Sequence, residues 1–314
     1  MKTNLIYILG MMCLSGTVSA QTTVNYTEFE QKVLDYSQTL KQSVSQRTAM
    51  QKAMKAAKTA FFPAVDATGS YQYRINKYDM DFGGMAVPME HDSYSAEVGV
   101  VQPIYAGGSI YHTYKASQIQ SQIADKSVDL TTDNLIYAAE ASYWGTAAQK
   151  EMYKTMCQYV EIISQLTKVL QDKYDDGYIS KTDLIQMQTR LKEAELQRSS
   201  SYQSYQIALQ NMNVLMGLEP DKEVGLVDSI FVELPLPAYV GADAALNVRP
   251  DYAISQLDVD YQKRQVKLAA AKYNPSLSIG FKETWGTQML NISGETMFNS
   301  NVYASVKLPL FHWG

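Results

Sequence analysis

The residues whose types could do chemistry are few: three His and two Cys in 314 positions, with short acidic and glycine pairs between them. A hydrolase needs a nucleophile, a base and an orienting group, or else a metal cluster. His91, His112 and His312 fall far apart, and none has a second His or a Cys at ligand spacing, so each reads as a solvated or interface histidine. Asp79-Met80-Asp81 and Asp175-Asp176 suggest a calcium loop, but the roughly twelve-residue ligand run of such a loop does not follow either. Asp81 and its neighbours read instead as a solvated outer loop. Gly83-Gly84 and Gly107-Gly108 are not phosphate cradles, because neither lies in a strand, Gly-rich loop and helix of the required spacing. No catalytic residue, cofactor or metal site is expected, and the chain reads as a non-enzyme.

Composition excludes further classes. The chain is 46% hydrophobic and 19% charged, with 17 Gly and 9 Pro, which is neither disordered nor collagen-like. The formal charge is −5, and Lys2 is the only charge before residue 21, so its loss would leave −6. A basic nucleic-acid footprint is absent. Two Cys exclude a disulfide framework. Tyr stands out with 23 copies.

The elements that must position these side chains begin with an export signal over residues 1–20. Lys2 gives a positive start, Leu5 to Val18 is a mostly apolar run, and Val18-Ser19-Ala20 is a small-residue cleavage site. The run is shorter than the ~20 residues of a spanning helix. Met11-Met12 before Cys13 argue against a lipoprotein signal. If Cys13 leaves with the signal, Cys157 remains as a small buried hydrophobe.

From Thr27, with Glu30 completing a capping-box pattern, Phe29, Val33, Tyr36, Leu40 and Val44 predict one helix to about Ala60, stopped by Phe62-Pro63. The period then changes. Val65, Ala67, Gly69, Tyr71, Tyr73 and Ile75 alternate with Asp66, Thr68, Ser70, Gln72, Arg74 and Asn76; after a polar stretch, Tyr94, Ala96, Val98, Val100 and Ile104 alternate with Ser93, Ser95, Glu97 and Gly99. This predicts a hairpin of two strands, each about 11 residues long with one apolar and one polar face. The apolar faces carry Tyr, Ala and Gly rather than bulky core residues, as strands of a transmembrane barrel do.

No proline occurs between Pro103 and Pro220. The stretch predicts a helical hairpin with arms of about 65 and 36 residues, roughly 100 and 54 Å long. Gly177 would be the left-handed residue that ends the first arm, and Ser180-Lys181-Thr182-Asp183 a capping box that starts the second. The helix over residues 27–60 would add ~51 Å and, stacked on the return arm, match the long one. Helices of this length need a continuous lateral partner along a tube or rod. Gly145 would weaken the long arm without breaking it.

The chain then repeats itself. Ala269-Ala270-Ala271-Lys272-Tyr273-Asn274-Pro275 echoes Lys55-Ala56-Ala57-Lys58 and Phe61-Phe62-Pro63. Leu277, Ile279, Phe281 and Trp285 alternate with Ser276, Ser278, Lys282 and Thr284, Glu283 being the exception, and Val302, Ala304, Val306, Leu308 and Leu310 form a last strand. The segment Leu308 to Gly314 mirrors Gln102 to Gly108. Pro63 to Pro275 is 212 residues and Pro103 to Pro309 is 206, so the second hairpin is six residues shorter. One helix–hairpin–helix unit is used twice. The expected domains are a first repeat over 21–220, a linker or equatorial segment over 221–247, and an incomplete second repeat over 248–314.

The order and duplication of these motifs resemble the outer membrane efflux protein family, the TolC-like trimeric exit ducts of Gram-negative bacteria. The matching stretches are Arg249-Pro250-Asp251-Tyr252, the Ala-Lys-x-x-x-Pro approach to the strands, the Pro and Gly strand exits, the turn Gly177 to Leu184, and Leu215-Met216-Gly217. The resemblance implies a mixed α and β fold: long coiled-coil-like helical hairpins plus two β-hairpins that give four strands per protomer to a trimeric twelve-stranded transmembrane β-barrel, continued by a periplasmic α-helical tunnel. Two of the four tunnel helices per protomer are absent here, so the chain is expected to be a fragment or truncation of such a duct.

The resemblance also implies roles. Gly177, Tyr178, Ser180, Lys181, Thr182 and Asp183 would form the tip that docks a periplasmic adaptor, with an acid at Asp183 helping to hold a tunnel closed; capping two helices explains the same residues. Tyr71, Tyr73, Tyr94, Tyr105 and Trp285 would be membrane-interface aromatics, with cross-strand packing as the plainer reading. Asp66, Arg74 and Lys282 would face the lumen. The partners would be two further copies, an adaptor, an inner-membrane transporter and outer-membrane lipid. The expected function is passive export of small molecules or proteins in a tripartite efflux or type I secretion system. A soluble periplasmic coiled-coil adaptor or scaffold, or a non-assembling remnant, are the competing readings.

Overall fold

The computed structural model describes residues 22–76, 79–88, 90–231, 241–287 and 296–310. The signal over 1–20, part of the segment over 221–247, and His312 with the rest of 311–314 lie outside the described residues. In chain order the elements are β1 (Thr22–Val24), α1 (Tyr26–Tyr36), α2 (Gln38–Thr59), β2 (Ala64–Tyr73), β3 (Asp79–Phe82), β4 (Met85–Pro88), β5 (Asp92–Ala106), α3 (Ser109–Asp175), α4 (Lys181–Leu215), β6 (Val224–Leu226), α5 (Ala242–Val248), α6 (Pro250–Ala271), β7 (Ser276–Gly286) and β8 (Met297–Lys307). They fall into two compact units, Met1–Gln38 with Asp133–Pro237, and Thr39–Thr132 with Ala238–Gly314.

The first unit is built on α1, α4 and the later part of α3, closed by a parallel pairing of β1 with β6. Its core is Val24, Phe29, Val33, Ala139, Tyr143 and Met212 with their neighbours, and Phe29, Tyr143 and Met212 are fully buried. Burying each such large side chain favours the fold by about 1.5–3 kcal/mol. Tyr143 holds the polar part together: its hydroxyl is 2.7 Å from Asp228 Oδ2 and 3.1 Å from the Val24 carbonyl, and the Tyr26 amide donates to the same carboxylate oxygen at 2.8 Å. Asn213, fully buried, donates to the carbonyls of Pro220 and Lys222 and so fixes the turn leading into β6.

The expected single helix over residues 27–60 is two helices. Ser37 leaves the helical conformation between α1 and α2, with φ −51° and ψ 116°, and the Gln38 side chain covers the Tyr36 carbonyl. The start is also different: Asn25, not Thr27, is the N-cap, accepting from the Glu28 amide at 2.8 Å.

The second unit carries a four-stranded antiparallel sheet in the order β2-β5-β7-β8. The two sequence repeats thus lie side by side, joined through β5 and β7. The stretch between β2 and β5, expected as an outer loop, contains the short hairpin β3–β4, turned at Gly83 and Gly84 with φ of +66° and +97°. Gly107 anchors the sheet to the start of α3. Its φ is +63°, and a Cβ there would lie 2.7 Å from the Ala271 carbonyl, while Asn274 Nδ2 donates to the Gly107 carbonyl at 2.9 Å. The expected alternation in β5 also slips: a bulge between Pro103 and Tyr105 leaves Ile104 outside the register and returns Tyr105 opposite Leu277. Pro103 has no amide to give the ladder, which is where a bulge is tolerated.

Candidate functional site

The sheet of the second unit is two-faced because residue parity is preserved across all three strand pairings except at the bulge after Pro103. One face carries Val65, Ala67 and Tyr71 of β2 opposite Val100, Val98 and Tyr94 of β5; these continue to Phe281 and Ile279 of β7 and Val302 and Ala304 of β8. Many of these side chains are exposed, Val65 and Val302 among them, so among the described residues nothing covers that part of the face. The aromatics gather at its ends. Tyr71 faces Tyr94 directly, Tyr94 lies 5.5 Å from Trp285, and Trp285 lies 6.5 Å from Phe298. Tyr73 stacks on His91, while Tyr105 stands at the opposite end of the strands, beside the bulge. Glu283, the charged exception on this face, accepts from the Ser300 hydroxyl.

The other face is polar. Asp66 and Lys282 both flank Gly99 on this face. Lys282 Nζ lies 2.6 Å from Glu97 Oε2, an ion pair that crosses from the first hairpin to the second. Ser70 and Ser95 hydroxyls are 2.8 Å apart, and Thr284, Asn299 and Asn301 complete a shallow polar recess of about 550 Å³. Tyr303 is the aromatic on this face, its ring lying over Gly280, where the missing side chain leaves room for it. Arg74 sits one residue past β2, its amide donating to the His91 carbonyl at 2.6 Å and its guanidinium to the Glu90 carbonyl at 3.3 Å. The sheet therefore brings Asp66 and Lys282 onto one face, with Arg74 at its edge.

In the first unit the turn between α3 and α4 is built from local chemistry. Gly177 has φ +79°, and the amides of Gly177 and Tyr178 donate to the Tyr174 and Lys173 carbonyls at 2.9 and 2.8 Å, a Schellman end. Ser180 then caps α4: the Asp183 amide donates to its hydroxyl at 3.2 Å, and that hydroxyl and the Ser180 amide both donate to the Asp183 carboxylate. Asp183 is thus engaged in the cap. The side chains of Tyr178, 79% exposed, and of the exposed Lys181 and Thr182 make none of the cap's hydrogen bonds. Along α3, Tyr159, Ile162, Leu166 and Val169 follow at three- and four-residue steps and are exposed, although Val160 beside them is buried.

Sequence reasoning missed the packing around Tyr143. It also missed the clasp at the start of α6, where Arg249 donates to both carboxylate oxygens of Asp251 and holds that carboxyl below its ordinary range. Among the described residues no group of three His, Cys, Asp or Glu side chains could hold a metal, and no helix is long and apolar enough to cross a membrane.

The outer membrane efflux protein family model matches residues 30–218. Among solved structures the fold is similar to the CmeC outer membrane channel of Campylobacter jejuni, with a TM-score of 0.76 and 17% identity over 92% of this chain and 62% of that one. A membrane protein from Pseudomonas aeruginosa gives 0.77 and 13% over 91% and 67%. The outer membrane protein VceC of Vibrio cholerae gives 0.72 and 14% over 91% and 69%. The chain thus spans 62% of the length of CmeC. No curated protein matches the sequence.

Proposed function

The chain belongs to the outer membrane efflux protein family, and on that premise we propose that it supplies part of a passive exit duct in the outer membrane. The observation that carries this reading is the parity of the β2-β5-β7-β8 sheet, with Val, Ala, Phe and Tyr on one face and Asp66, Glu97, Lys282 and Asn301 on the other. A sheet of that kind is stable where lipid covers one side and water the other. Three copies, each giving four strands, would close a barrel and remove the free edges at β2 and β8. Tyr71, Tyr73, Tyr94, Trp285 and Tyr105 would then sit at the two lipid–water boundaries, and Asp66, Arg74 and Lys282 toward the lumen.

In this reading residues 1–20 direct export, the repeats over 21–220 and 248–314 each provide one hairpin, and within the linker over 221–247 Val224 to Asp228 close the first unit. The turn over 177–183 meets the periplasmic adaptor of an inner-membrane transporter. Lys181, Thr182 and Tyr178 offer the contacts, while Gly177, Ser180 and Asp183 hold the turn in shape. The work of the chain is to conduct, with small molecules or proteins as cargo and no chemistry on them.

The test is fractionation followed by native mass measurement of the detergent-extracted protein. Recovery in the outer membrane as a detergent-requiring trimer is expected. Release by salt or osmotic shock alone would sink the barrel and favour a periplasmic scaffold. A trimer of subunits heavier than 314 residues would place this sequence within a longer duct subunit.

A further inference from the structure

In the second unit a cleft of about 620 Å³ lies between the first turns of α3 and the last turns of α6. Lys115 enters it from α3, and Lys263, Arg264 and Lys267 from α6. Asp260 is the one acid in the lining, and Lys263 already pairs with it at 2.8 Å. Among the described residues neither Arg264 nor Lys267 makes an ion pair within 4.0 Å. The cleft is not purely polar: Ile119 and Val266, the latter 70% exposed, lie among the cations. Their combined field reaches His112, which burial first, then the Lys267 and Arg264 charges, hold below its ordinary pKa.

Its position is set by the strands. Lys115 stands six residues into α3, about 9 Å along the axis from where β5 hands over to the helix. Lys267 stands four residues before the end of α6, which leads into β7. If the strands cross the hydrocarbon layer, the cleft opens close below it, near the headgroup layer of about 5–8 Å.

We propose that this cleft binds the phosphate headgroup of an anionic phospholipid from the periplasmic leaflet, with Arg264 and Lys267 holding the phosphate and Ile119 and Val266 meeting the glycerol and upper acyl carbons. The proposal rests on the reading of the sheet as membrane-spanning. Charge complementarity favours an anion over a zwitterion, because four cations face one engaged carboxylate. The exposed apolar pair favours a lipid over free phosphate, which has nothing to place against Val266. Arg suits phosphate through its planar fork.

The experiment uses the full chain purified in mild detergent, incubated with phosphatidylglycerol or phosphatidylcholine, washed, and examined for retained lipid by native mass spectrometry. Phosphatidylglycerol is expected to stay bound and phosphatidylcholine to wash away. R264Q/K267Q is expected to weaken retention roughly tenfold or more, the scale of losing charge-assisted hydrogen bonds. K115Q should weaken it less, and K168Q, on α3 in the first unit, should change nothing. Equal retention by the wild type and R264Q/K267Q would overturn the assignment, as would equal retention of the two lipids. Displacement of phosphatidylglycerol by inorganic phosphate at matching concentrations would overturn the lipid in favour of a free anion. Fractionation separates this from the duct reading: a protein that salt releases from membranes, yet retains phosphatidylglycerol in an Arg264-dependent way, keeps the cleft and loses the barrel.

Discussion

Glu97 and Lys282 meet at 2.6 Å although they sit on different hairpins, and their strands, β5 and β7, are the only link between the two repeats within the described part of the sheet. They are diagonal rather than direct partners, since Glu97 faces Thr284 and Lys282 faces Gly99. Gly99 carries no side chain to block the Lys282 stem, which lets the ammonium reach along the strand. Both side chains are partly exposed, at 33% and 40%, so the pair contributes only about 0–1 kcal/mol to stability.

Its larger consequence is charge. If the polar face lines a lumen, the pair is close to neutral there, and Lys282→Gln leaves the Glu97 carboxylate unbalanced. Single-channel recordings in planar bilayers should then show the reversal potential moving toward cation selectivity, with the melting temperature little changed. Lys282→Gln with Glu97→Gln together should restore the original selectivity. Unchanged selectivity in the single variant would remove Lys282 from the conducting path.

The turn at Gly177 permits capping and docking to be separated. Gly177→Ala forces a side chain into φ +79° and should cost about 1 kcal/mol, read as a lower unfolding temperature. Asp183→Ala removes the acceptor of the Ser180 cap and should cost a similar ~1 kcal/mol. Lys181→Glu and Tyr178→Ala touch no capping bond, so helicity and unfolding temperature should stay as they are. Co-purification with the cognate adaptor should fall in these two variants. Loss of adaptor binding that tracks stability across all four variants would leave the turn as a cap alone.

The turn was readable because its physics is local: a glycine, then a serine three residues before an aspartate, dictates both helix ends. The sheet was readable for a related reason. Alternation reports the two faces directly, Pro63 and Pro275 mark where helix must give way to strand, and Pro103 and Pro309 stand near the strand exits. The failures share a different cause. Tyr143 meets Val24 and Asp228 across 119 and 85 residues, and no periodicity announces such a pairing. At Ser37 the apolar spacing from Tyr36 to Leu40 continues as if unbroken, while the backbone does not. The bulge after Pro103 was hidden because a strand pattern cannot show a skipped residue when both Ile104 and Tyr105 are apolar.

The core that sequence reading missed makes the fold sensitive to alkali. Burial, then Glu30, pushes the Tyr26 phenol up to about 12, and burial, then Asp228, raises Tyr143 further. Both folded values exceed the ordinary 10.0, so the stabilisation they report is complete below pH 10 and is lost as pH rises through the raised values. Denaturant unfolding followed by near-ultraviolet circular dichroism should show stability falling above pH 10, where lysines also titrate but arginines do not, so the tyrosine share is read from a variant. Tyr143→Phe should flatten part of that slope. At neutral pH it should cost about 1–3 kcal/mol, because the Asp228 carboxylate and the Val24 carbonyl lose a donor. A variant as stable as the wild type at neutral pH would show that water replaces the hydroxyl without loss.

The exposed stripe on α3 is the clearest demand this chain makes for a partner. Tyr159, Ile162, Leu166 and Val169 repeat as a coiled-coil seam does, and Ile162 is 62% exposed. The hairpin partner α4 is already served by the other side of the helix, where Val160 is 8% exposed. A lone helix gains nothing from such a stripe, whereas a neighbouring helix would bury it along its length and contribute about 25 cal/mol for each Å² of apolar surface covered. Ile162→Glu with Leu166→Glu places two charges in that seam without touching the buried side. Circular dichroism should therefore show the same helicity and native mass measurement a shift from oligomer to single chain. An oligomer that survives both charges would mean the strands alone hold the copies together, and the stripe would have to be covered by something other than a second copy.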